Sequence, residues 1–183
     1  MKYNKRVILK DGRECLLRNG TENDAQAVYD LFNLTHEQTD FLLSYPDENS
    51  FNVEQEAEFL KKQTESEGAV EILAELDGRA VGFAGFSAVG TKFKTKRRAE
   101  FGISVDKEYW GLGIGRALTE ACIECAKRAG YAQMELDVVG ENERAIALYK
   151  SFGFIEYGRN PRGFCSRITG TWQELVLMRL ELE

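Results

Sequence analysis

Histidine and proline are scarce in this chain, which holds one histidine, His36, and two prolines, Pro46 and Pro161, among 183 residues. A metal site would therefore have to be built almost entirely from ligands other than histidine. Both prolines are expected to mark loops. No linker, internal repeat or low-complexity segment interrupts the sequence. A chain of this length without such breaks predicts a single domain over residues 1–183.

Long apolar runs are also missing. No stretch of about eighteen apolar residues occurs, so no transmembrane helix is expected. The basic N-terminus, residues 1–6, is not followed by an apolar signal core. Together these absences predict a cytoplasmic protein without a membrane partner.

Four cysteines are present, and Cys122 and Cys125 have the Cys-x-x-Cys spacing of zinc and redox sites. This pair lies midway along a helical pattern, with no second pair and no partnering histidine. Burial as small apolar residues is therefore favoured over a metal or redox site. No metal cofactor is expected.

Acidic residues outnumber basic ones by 30 to 24, which gives a net charge of −6. This balance disfavours a nucleic-acid partner. The negative charge is concentrated in residues 37–67, where nine acidic residues face only Lys61 and Lys62. A short basic run at residues 92–98 is interpreted as a solvated hairpin.

Hydrophobic periodicity predicts strands alternating with helices. The predicted strands cover residues 7–9, 15–18, 70–76, 80–88, 99–105, 132–138, 154–157 and 171–182. Helices are predicted after Thr21, Asn52 and Gly115, and over residues 142–152. The strand–helix–strand unit around the third helix should be a parallel crossover. The fold class is therefore α/β (α+β): a mixed, mostly antiparallel sheet flanked by helices, with one parallel β-α-β crossover.

A glycine run is the most specific local pattern. Gly111, Gly113 and Gly115 stand between an apolar extended stretch and a long amphipathic helix pattern. A strand that enters a helix through such a turn leaves the first helical amides free, and the helix dipole adds positive charge there. The run therefore predicts a phosphate or pyrophosphate site.

A dinucleotide site is one interpretation of this run. Its Gly-x-Gly-x-x-Gly pattern requires a third glycine at the position of Arg116, although Asp137 ends the next strand where a ribose ligand would be expected. Too little chain follows for a doubly wound sheet, and the antiparallel strands upstream do not fit one. This interpretation is disfavoured.

A coenzyme A site is the second interpretation. The stretch from Trp110 to Gly115, after a strand ending at Val105, resembles the Gln/Arg-x-x-Gly-x-Gly/Ala signature of the GNAT superfamily of N-acetyltransferases, except that Trp110 replaces Gln or Arg. The stretch from Asn142 to Phe154 is similar to the family's Asn-x-x-Ala-x-x-Leu-Tyr-x-x-x-Gly-Phe segment. One helix and one strand separate the two motifs, as in the family. The resemblance extends over residues 7–182.

The resemblance implies an acetyl-CoA-dependent N-acetyltransferase that moves the acetyl group directly to a primary amine in a ternary complex. The parallel crossover would form the acetyl-CoA cleft. Ile103 and Val105 would pair with the pantetheine arm through their backbone, the Val105 amide would stabilise the oxyanion, and Asn142 would bond the pantetheine or the chain near it. The amides expected to hold the pyrophosphate are those of Gly111, Leu112, Gly113, Ile114, Gly115 and Arg116.

Two residues are candidates for proton transfer. Tyr149 lies seven residues after Asn142 and so shares its helix face; by resemblance it is the acid that protonates the leaving thiolate. Glu100 alternates with the apolar residues Phe101 and Ile103, and a carboxylate on that opposite face is the candidate base. The alternatives are a tyrosine that packs its ring, an asparagine that caps a helix and a solvent-facing glutamate.

The acceptor is expected to be a small-molecule or peptide amine, and a cationic one. In the family the first two helices, their connecting loop and the last hairpin shape its site. Here that loop carries Asp40, Asp47 and Glu48, a negative rim that would attract a cation. Three arginines in the last loop give a conflicting signal: Arg159, Arg162 and Arg167. A non-catalytic acyl-CoA-binding sensor of the same fold is the alternative function, and a homodimer stays open.

Overall fold

The computed structural model describes residues 1–183 as one eight-stranded sheet with four α-helices. The strands are β1 (Asn4–Ile8), β2 (Glu14–Asn19), β3 (Val70–Leu76), β4 (Arg79–Ala88), β5 (Arg98–Val105), β6 (Gln133–Val139), β7 (Ile155–Cys165) and β8 (Trp172–Glu181). The helices are α1 (Ala25–Gln38), α2 (Val53–Glu65), α3 (Ile114–Arg128) and α4 (Glu143–Ser151). None of these helices has the length and apolarity needed to cross a bilayer.

The strand order is β1-β2-β3-β4-β5-β6-β8-β7, and every neighbouring pair is antiparallel except β5 and β6. The predicted fold class and its parallel crossover are therefore confirmed. The β5–β6 pairing starts at Arg98 with Gln133 and ends at Glu100 with Glu135. Beyond Glu100 the two strands diverge, which opens the sheet at its centre.

Turn and cap residues define the ends of several elements. Asp77 and Gly78 have φ angles of 52° and 78°, as the tight β3–β4 hairpin requires. Asn52 caps α2 by accepting a hydrogen bond from the Gln55 amide at 2.9 Å. Gly130, with φ of 78°, ends the segment of α3.

The core lies mainly between the sheet and α3, with α4 at its border. Ile72, Phe101 and Leu118 belong to this cluster, as do Cys122 and Cys125, whose side chains are completely buried. The interpretation of these two cysteines as apolar core residues is thereby confirmed. A smaller cluster on the opposite face joins the sheet to α1 and α2 through Ala25, Val28, Leu60 and Leu73. Because alternate residues of a strand point to opposite faces, β3 serves both clusters.

The last hairpin differs from the prediction. Strand β7 continues through Pro161 to Cys165, so Pro161 lies in a strand and the connecting loop covers only residues 166–171. A register shift between Asn160 and Phe164 accommodates the proline. Since β7 is an edge strand, the missing proline amide leaves no ladder partner unpaired.

Candidate active site

A cleft of about 390 Å³ opens where β5 and β6 diverge. Its walls come from the C-terminal half of β5, the start of α3, the inner side of α4 and the loop after α1. Nine of the residues expected to bind cofactor or act in catalysis line it: Ile103, Val105, Gly111, Gly113, Ile114, Gly115, Arg116, Asn142 and Tyr149. The two that do not are Leu112 and Glu100.

The glycine loop has the geometry of an anion site. Gly111 and Gly113 have φ angles of 85° and 101°, in the left-handed region that favours glycine. The first intrahelical bond of α3 runs from the Ala117 amide to the Gly113 carbonyl at 3.0 Å. The amides at the helix start, at residues 114–116, therefore lack intrahelical partners. Nothing would meet a side chain at Gly111 within 4 Å, so the loop is open to a bulky group.

Leu112 does not line the cleft, but it helps to hold the glycine loop in place. Its side chain packs against the core, and its carbonyl accepts a hydrogen bond from the Lys10 amide at 3.0 Å. This bond ties the β1–β2 turn to the glycine loop. It leaves the Lys10 side chain lining the cleft, beside Gly113.

Cationic side chains surround the glycine loop. Lys10 and Arg144 line the cleft and have no ion-pair partner in the chain. Arg116 also lines it, although its guanidinium donates to the Ser151 hydroxyl at 2.7 Å. Sequence reasoning missed Lys10 and Arg144. The sequence carries no signal for Lys10, since its proximity to Gly113 arises from the pairing of distant segments.

Trp110 replaces the glutamine or arginine of the family signature and has a visible role. Its indole N–H donates to the Val105 carbonyl at 2.7 Å, and the Arg144 guanidinium lies over its ring at 4.2 Å. The Val105 carbonyl therefore already accepts a hydrogen bond, and the Val105 amide takes no part in it.

The backbone of β5 offers alternate groups to its two sides. The Arg98 carbonyl and the Asp106 amide bond toward β4, to Val89 at 2.8 Å and Val81 at 3.0 Å. By the alternation of an antiparallel ladder, residues 101, 103 and 105 direct their backbone groups away from β4. These groups face the opening because β6 has already diverged.

Tyr149 projects from α4 to the bottom of the cleft and is only 6% exposed. Its ring packs edge-on against Phe101, with centroids 6.2 Å apart, and its hydroxyl has no hydrogen-bond partner in the chain. Burial raises the pKa of Tyr149 well above its ordinary value. The side chain is therefore protonated at every physiological pH and remains a donor.

Asn142 is the residue before α4, and it combines two roles that the sequence left as alternatives: it caps the helix and it lines the cleft. Its Oδ1 accepts from the Ala145 amide at 3.2 Å, which caps the helix. It also lines the cleft, and its Nδ2 has no partner in the chain. The cap fixes the orientation of the side chain and leaves its donor free.

Glu100 lies on the opposite face of β5 from Phe101, as expected, but its side chain is exposed and does not line the cleft. The structure therefore does not bring Glu100 and Tyr149 together around one cavity.

The acidic rim is not free to attract a cation, contrary to expectation. Arg167 contacts both Asp47 oxygens at 2.8 Å and Glu48 at 3.0 Å. Asp40 accepts from the Tyr45 hydroxyl at 2.8 Å and from the Ser166 hydroxyl at 2.6 Å. We call this connection between residues 39–52 and 166–171 the clasp.

The conflicting arginine signal is explained by the same kind of pairing. Arg159 lies in β7, outside the loop, and contacts Glu156 at 2.6 Å and Glu174 at 2.5 Å. Arg167 is held in the clasp. These two arginines neutralise acidic groups of the chain and do not indicate an anionic acceptor.

Comparison with known proteins adds evidence of a different kind. The sequence model of the Acetyltransferase (GNAT) family matches residues 25–154, which include the glycine loop and Tyr149. The chain belongs to this family. A solved GNAT-family acetyltransferase from Streptococcus pneumoniae is 28% identical and superposes with a TM-score of 0.87, covering 91% of this chain and 99% of that one.

Two further proteins extend the comparison. The ribosomal protein bS18-alanine N-acetyltransferase of Escherichia coli K12 is 46% identical over 56 residues, which are 31% of this chain and 38% of that protein. The first curated relatives are thus matched over about two fifths of their length, 39% and 38%. The protein yncA from Salmonella typhimurium, solved with its cofactor acetyl-CoA, shares the fold at 22% identity and a TM-score of 0.80, over 92% and 94% of the two chains.

Proposed function

We propose that the protein is an acetyl-CoA-dependent N-acetyltransferase that acts on a primary amine in a ternary complex. The observation that carries the proposal is the open glycine loop at the start of α3, joined to a cleft that ends at Tyr149. A thioester cosubstrate supplies the activated acetyl group when it is bound. The residues of the chain bind this cosubstrate, orient it and hold or donate protons.

The cleft fits coenzyme A by its chemistry. The free amides at residues 114–116 and the unpaired cations Lys10 and Arg144 suit a pyrophosphate with a further phosphate nearby. The backbone of Ile103 and Val105 suits the amides of the pantetheine arm, which would extend β5 as an added strand. The occupied Val105 carbonyl leaves the amide of that residue as the group able to stabilise an oxyanion.

Tyr149 is proposed as the hydrogen-bond donor to the departing thiolate. Its raised pKa keeps the proton in place but makes full transfer to a thiol, with an ordinary pKa of about 8.5, less favourable. Donation of a hydrogen bond from a fixed, dry position fits this balance better than complete protonation. Glu100, exposed on the other face of β5, would act as a base only through intervening water.

The test is acetyl-CoA binding by calorimetry, combined with release of free thiol across a panel of amines. The panel holds n-butylamine, putrescine, spermidine, an aminoglycoside, a lysine-bearing peptide and a peptide with N-terminal alanine. We expect micromolar binding and thiol release with at least one amine. Binding without release from any amine would favour the acyl-CoA sensor, and absence of binding would reject both functions.

A further inference from the structure

The Ser104 hydroxyl lies in the wall of the cleft and has no hydrogen-bond partner in the chain. Its side chain is only 6% exposed, in strand β5 between Ile103 and Val105. A buried hydroxyl that forms no hydrogen bond costs free energy, so such groups are rare in folded proteins. A hydroxyl of this kind in the wall of a cleft is therefore a candidate contact for a ligand.

Ser104 faces the side of the sheet on which α1 and α2 pack. It is paired with Phe83 of β4, which packs against the smaller core cluster beneath these two helices. Directly paired residues of neighbouring strands share a face of the sheet. The other cleft residues on this side come from α1 and the loop after it: Thr35, Thr39, Phe41 and Leu42. The glycine loop, α3 and Tyr149 lie on the opposite face, so the cleft passes through the opening in the sheet.

The Ser104 hydroxyl is also close to the amide proposed to stabilise the oxyanion. Ser104 Oγ and the Val105 nitrogen belong to adjacent residues, and the covalent geometry between them keeps the two atoms within about 5 Å. An acetyl oxygen that accepts from the Val105 amide would lie about 3 Å from its nitrogen. A nucleophile that reaches the acetyl carbon from the α1 side can therefore come within hydrogen-bond distance of Ser104 Oγ.

Thr35 offers a second hydroxyl on the same side of the cleft. Its side chain is 2% exposed, and its hydroxyl donates to the Phe32 carbonyl at 3.1 Å. Because this proton is already used, Thr35 Oγ1 can only accept further hydrogen bonds. The α1 side of the cleft thus presents hydroxyl oxygens, which suit the N–H groups of an uncharged amine.

No carboxylate lines the cleft. Its charged lining residues are all cationic: Lys10, Arg116 and Arg144. The nearby acids are paired elsewhere, since Asp106 is 1% exposed and accepts from Gln38 Nε2 at 2.9 Å, and Asp40 is held in the clasp. A second ammonium group on the acceptor would therefore lose its water without meeting a counter-charge, which is unfavourable.

Apolar side chains complete the α1 side of the cleft. Phe41 and Leu42 are half-buried and line it. The residue before them, Asp40, is held by Gln173, whose Nε2 donates to the Asp40 carbonyl at 3.1 Å and lies 3.4 Å from its carboxylate. Gln173 belongs to β8 and is itself 9% exposed. The two apolar side chains are thus fixed over the cleft, where burial of an aliphatic or aromatic group against them is favourable.

We propose that the Ser104 hydroxyl binds the acceptor amine and that Phe41 and Leu42 receive an uncharged substituent, so that the preferred acceptor is an apolar monoamine. The inference rests on the proposed function and names the substrate class of the same site. In the transfer, the amine nitrogen bonds to the acetyl carbon, the carbon–sulfur bond breaks, and the nitrogen loses one proton while the sulfur gains one. Ser104 orients the lone pair of the amine and takes no proton.

The first experiment compares kcat/KM for n-butylamine and putrescine, which have the same carbon chain and differ by one amine. We expect n-butylamine to be preferred about tenfold or more, because the second ammonium of putrescine finds no counter-charge. Ethylamine, which is shorter by two methylenes, should be about tenfold poorer than n-butylamine. Equal or higher kcat/KM for putrescine would overturn the inference and leave the proposed function intact.

Ser104→Ala tests the hydroxyl. The value of kcat/KM for n-butylamine should fall about three- to tenfold, the usual effect of one hydrogen bond, while acetyl-CoA affinity stays within about twofold. The midpoint of denaturant unfolding should stay level or rise, because the removed hydroxyl has no partner in the chain. A lower midpoint with unchanged kcat/KM would show a structural role alone and reject the inference. Ser87→Ala, at an exposed position on the same face of β4 and outside the cleft, is the matched control.

An added carboxylate tests the absence of a counter-charge. Leu42→Glu places one in the wall of the cleft, and Leu43→Glu places one on the next residue, which is 80% exposed and lies outside the cleft. The ratio of kcat/KM for putrescine to that for n-butylamine should rise about tenfold or more in Leu42→Glu and stay at the native value in Leu43→Glu. An unchanged ratio in Leu42→Glu would contradict the inference. Absence of thiol release from every amine would instead reject the proposed function, and the inference with it.

Discussion

At the scale of single residues, the structure separates side chains that the sequence could identify from those it could not. That Tyr149 and Asn142 line one cleft could be predicted, because both lie within a short motif around one helix. Arg144 was not singled out, although it lies two residues from Asn142, because its use depends on the ring of Trp110. The burial of Glu71 could not be predicted either. A glutamate in a strand pattern is expected to face solvent, and only the structure shows that this carboxylate lies over Gly85.

Removal of the Tyr149 hydroxyl tests its proposed role. Tyr149→Phe keeps the ring packing against Phe101 but removes the donor. We expect turnover to fall about 10²- to 10³-fold, the usual cost of removing one fixed hydrogen-bond donor to a developing negative charge. Acetyl-CoA affinity, measured by calorimetry, should stay within about twofold of the native value. Unchanged turnover would show that the tyrosine has a packing role alone.

Glu71 also predicts how stability depends on pH. Its pKa is about 8 in the folded protein, against about 4.3 in an unfolded chain. Between these two pKa values the unfolded chain releases a proton that the folded protein keeps. The contribution of Glu71 to the free energy of unfolding is therefore full below about pH 4 and is lost as the pH rises to about 8.

Glu71→Gln removes this titration. The free energy of unfolding of the variant should gain on that of the native protein by about 1–3 kcal/mol between pH 5 and pH 8. Denaturant unfolding at several pH values provides the measurement, with Glu58→Gln as control. Parallel pH profiles for native protein and Glu71→Gln would contradict the prediction.

At the scale of elements, the regular segments follow the sequence closely and the irregular ones do not. The glycine run before α3 and the start of α2 after Asn52 each depend on neighbouring residues, and both are where the pattern predicts them. Strand β7 is longer than predicted because its continuation past Pro161 depends on pairing with β8. The clasp joins residues more than a hundred positions apart, which no local pattern reveals.

The clasp is expected to shape the acceptor site, because Phe41 and Leu42 follow Asp40 directly and line the cleft. Arg167→Ala removes the contacts to Asp47 and Glu48. Exposed ion pairs contribute about 0.2–1 kcal/mol each, so KM for the amine should rise about two- to fivefold while acetyl-CoA affinity is kept.

Arg162→Ala is the matched control for the clasp, since Arg162 is an exposed arginine of β7 without an ion-pair partner. Limited proteolysis within residues 39–52 should be faster in Arg167→Ala than in this control. Equal KM values and equal cleavage rates in the two variants would show that the clasp does not restrain the loop.

At the scale of the whole molecule, the cleft has a charge opposite in sign to the net charge of the chain. The net charge is −6, yet the cleft presents Lys10, Arg116 and Arg144. A cofactor with several phosphates should therefore bind through local attraction that salt screens. Overall composition could not locate this cluster, because the fold assembles it from three separate segments.

Ionic strength should accordingly weaken acetyl-CoA binding. We expect Kd to rise several-fold, about three- to tenfold, between 50 and 500 mM sodium chloride. Lys10→Gln should flatten this dependence, whereas Lys62→Gln, on the exposed side of α2, should not. A salt-independent Kd would indicate that the amides of the glycine loop bind the phosphates without help from side-chain charge.

The bond between the Trp110 indole and Val105 has an optical consequence. The chain has two tryptophans, and Trp172, which is 55% exposed, lies beside the clasp at the start of β8. Trp110 lies at the mouth of the cleft under Arg144. In Trp172→Phe the remaining emission should respond to the nucleotide, and in Trp110→Phe to the amine. The molecule thus carries two intrinsic fluorophores, one for each of its proposed substrates, and the order of their arrival can be timed without a label.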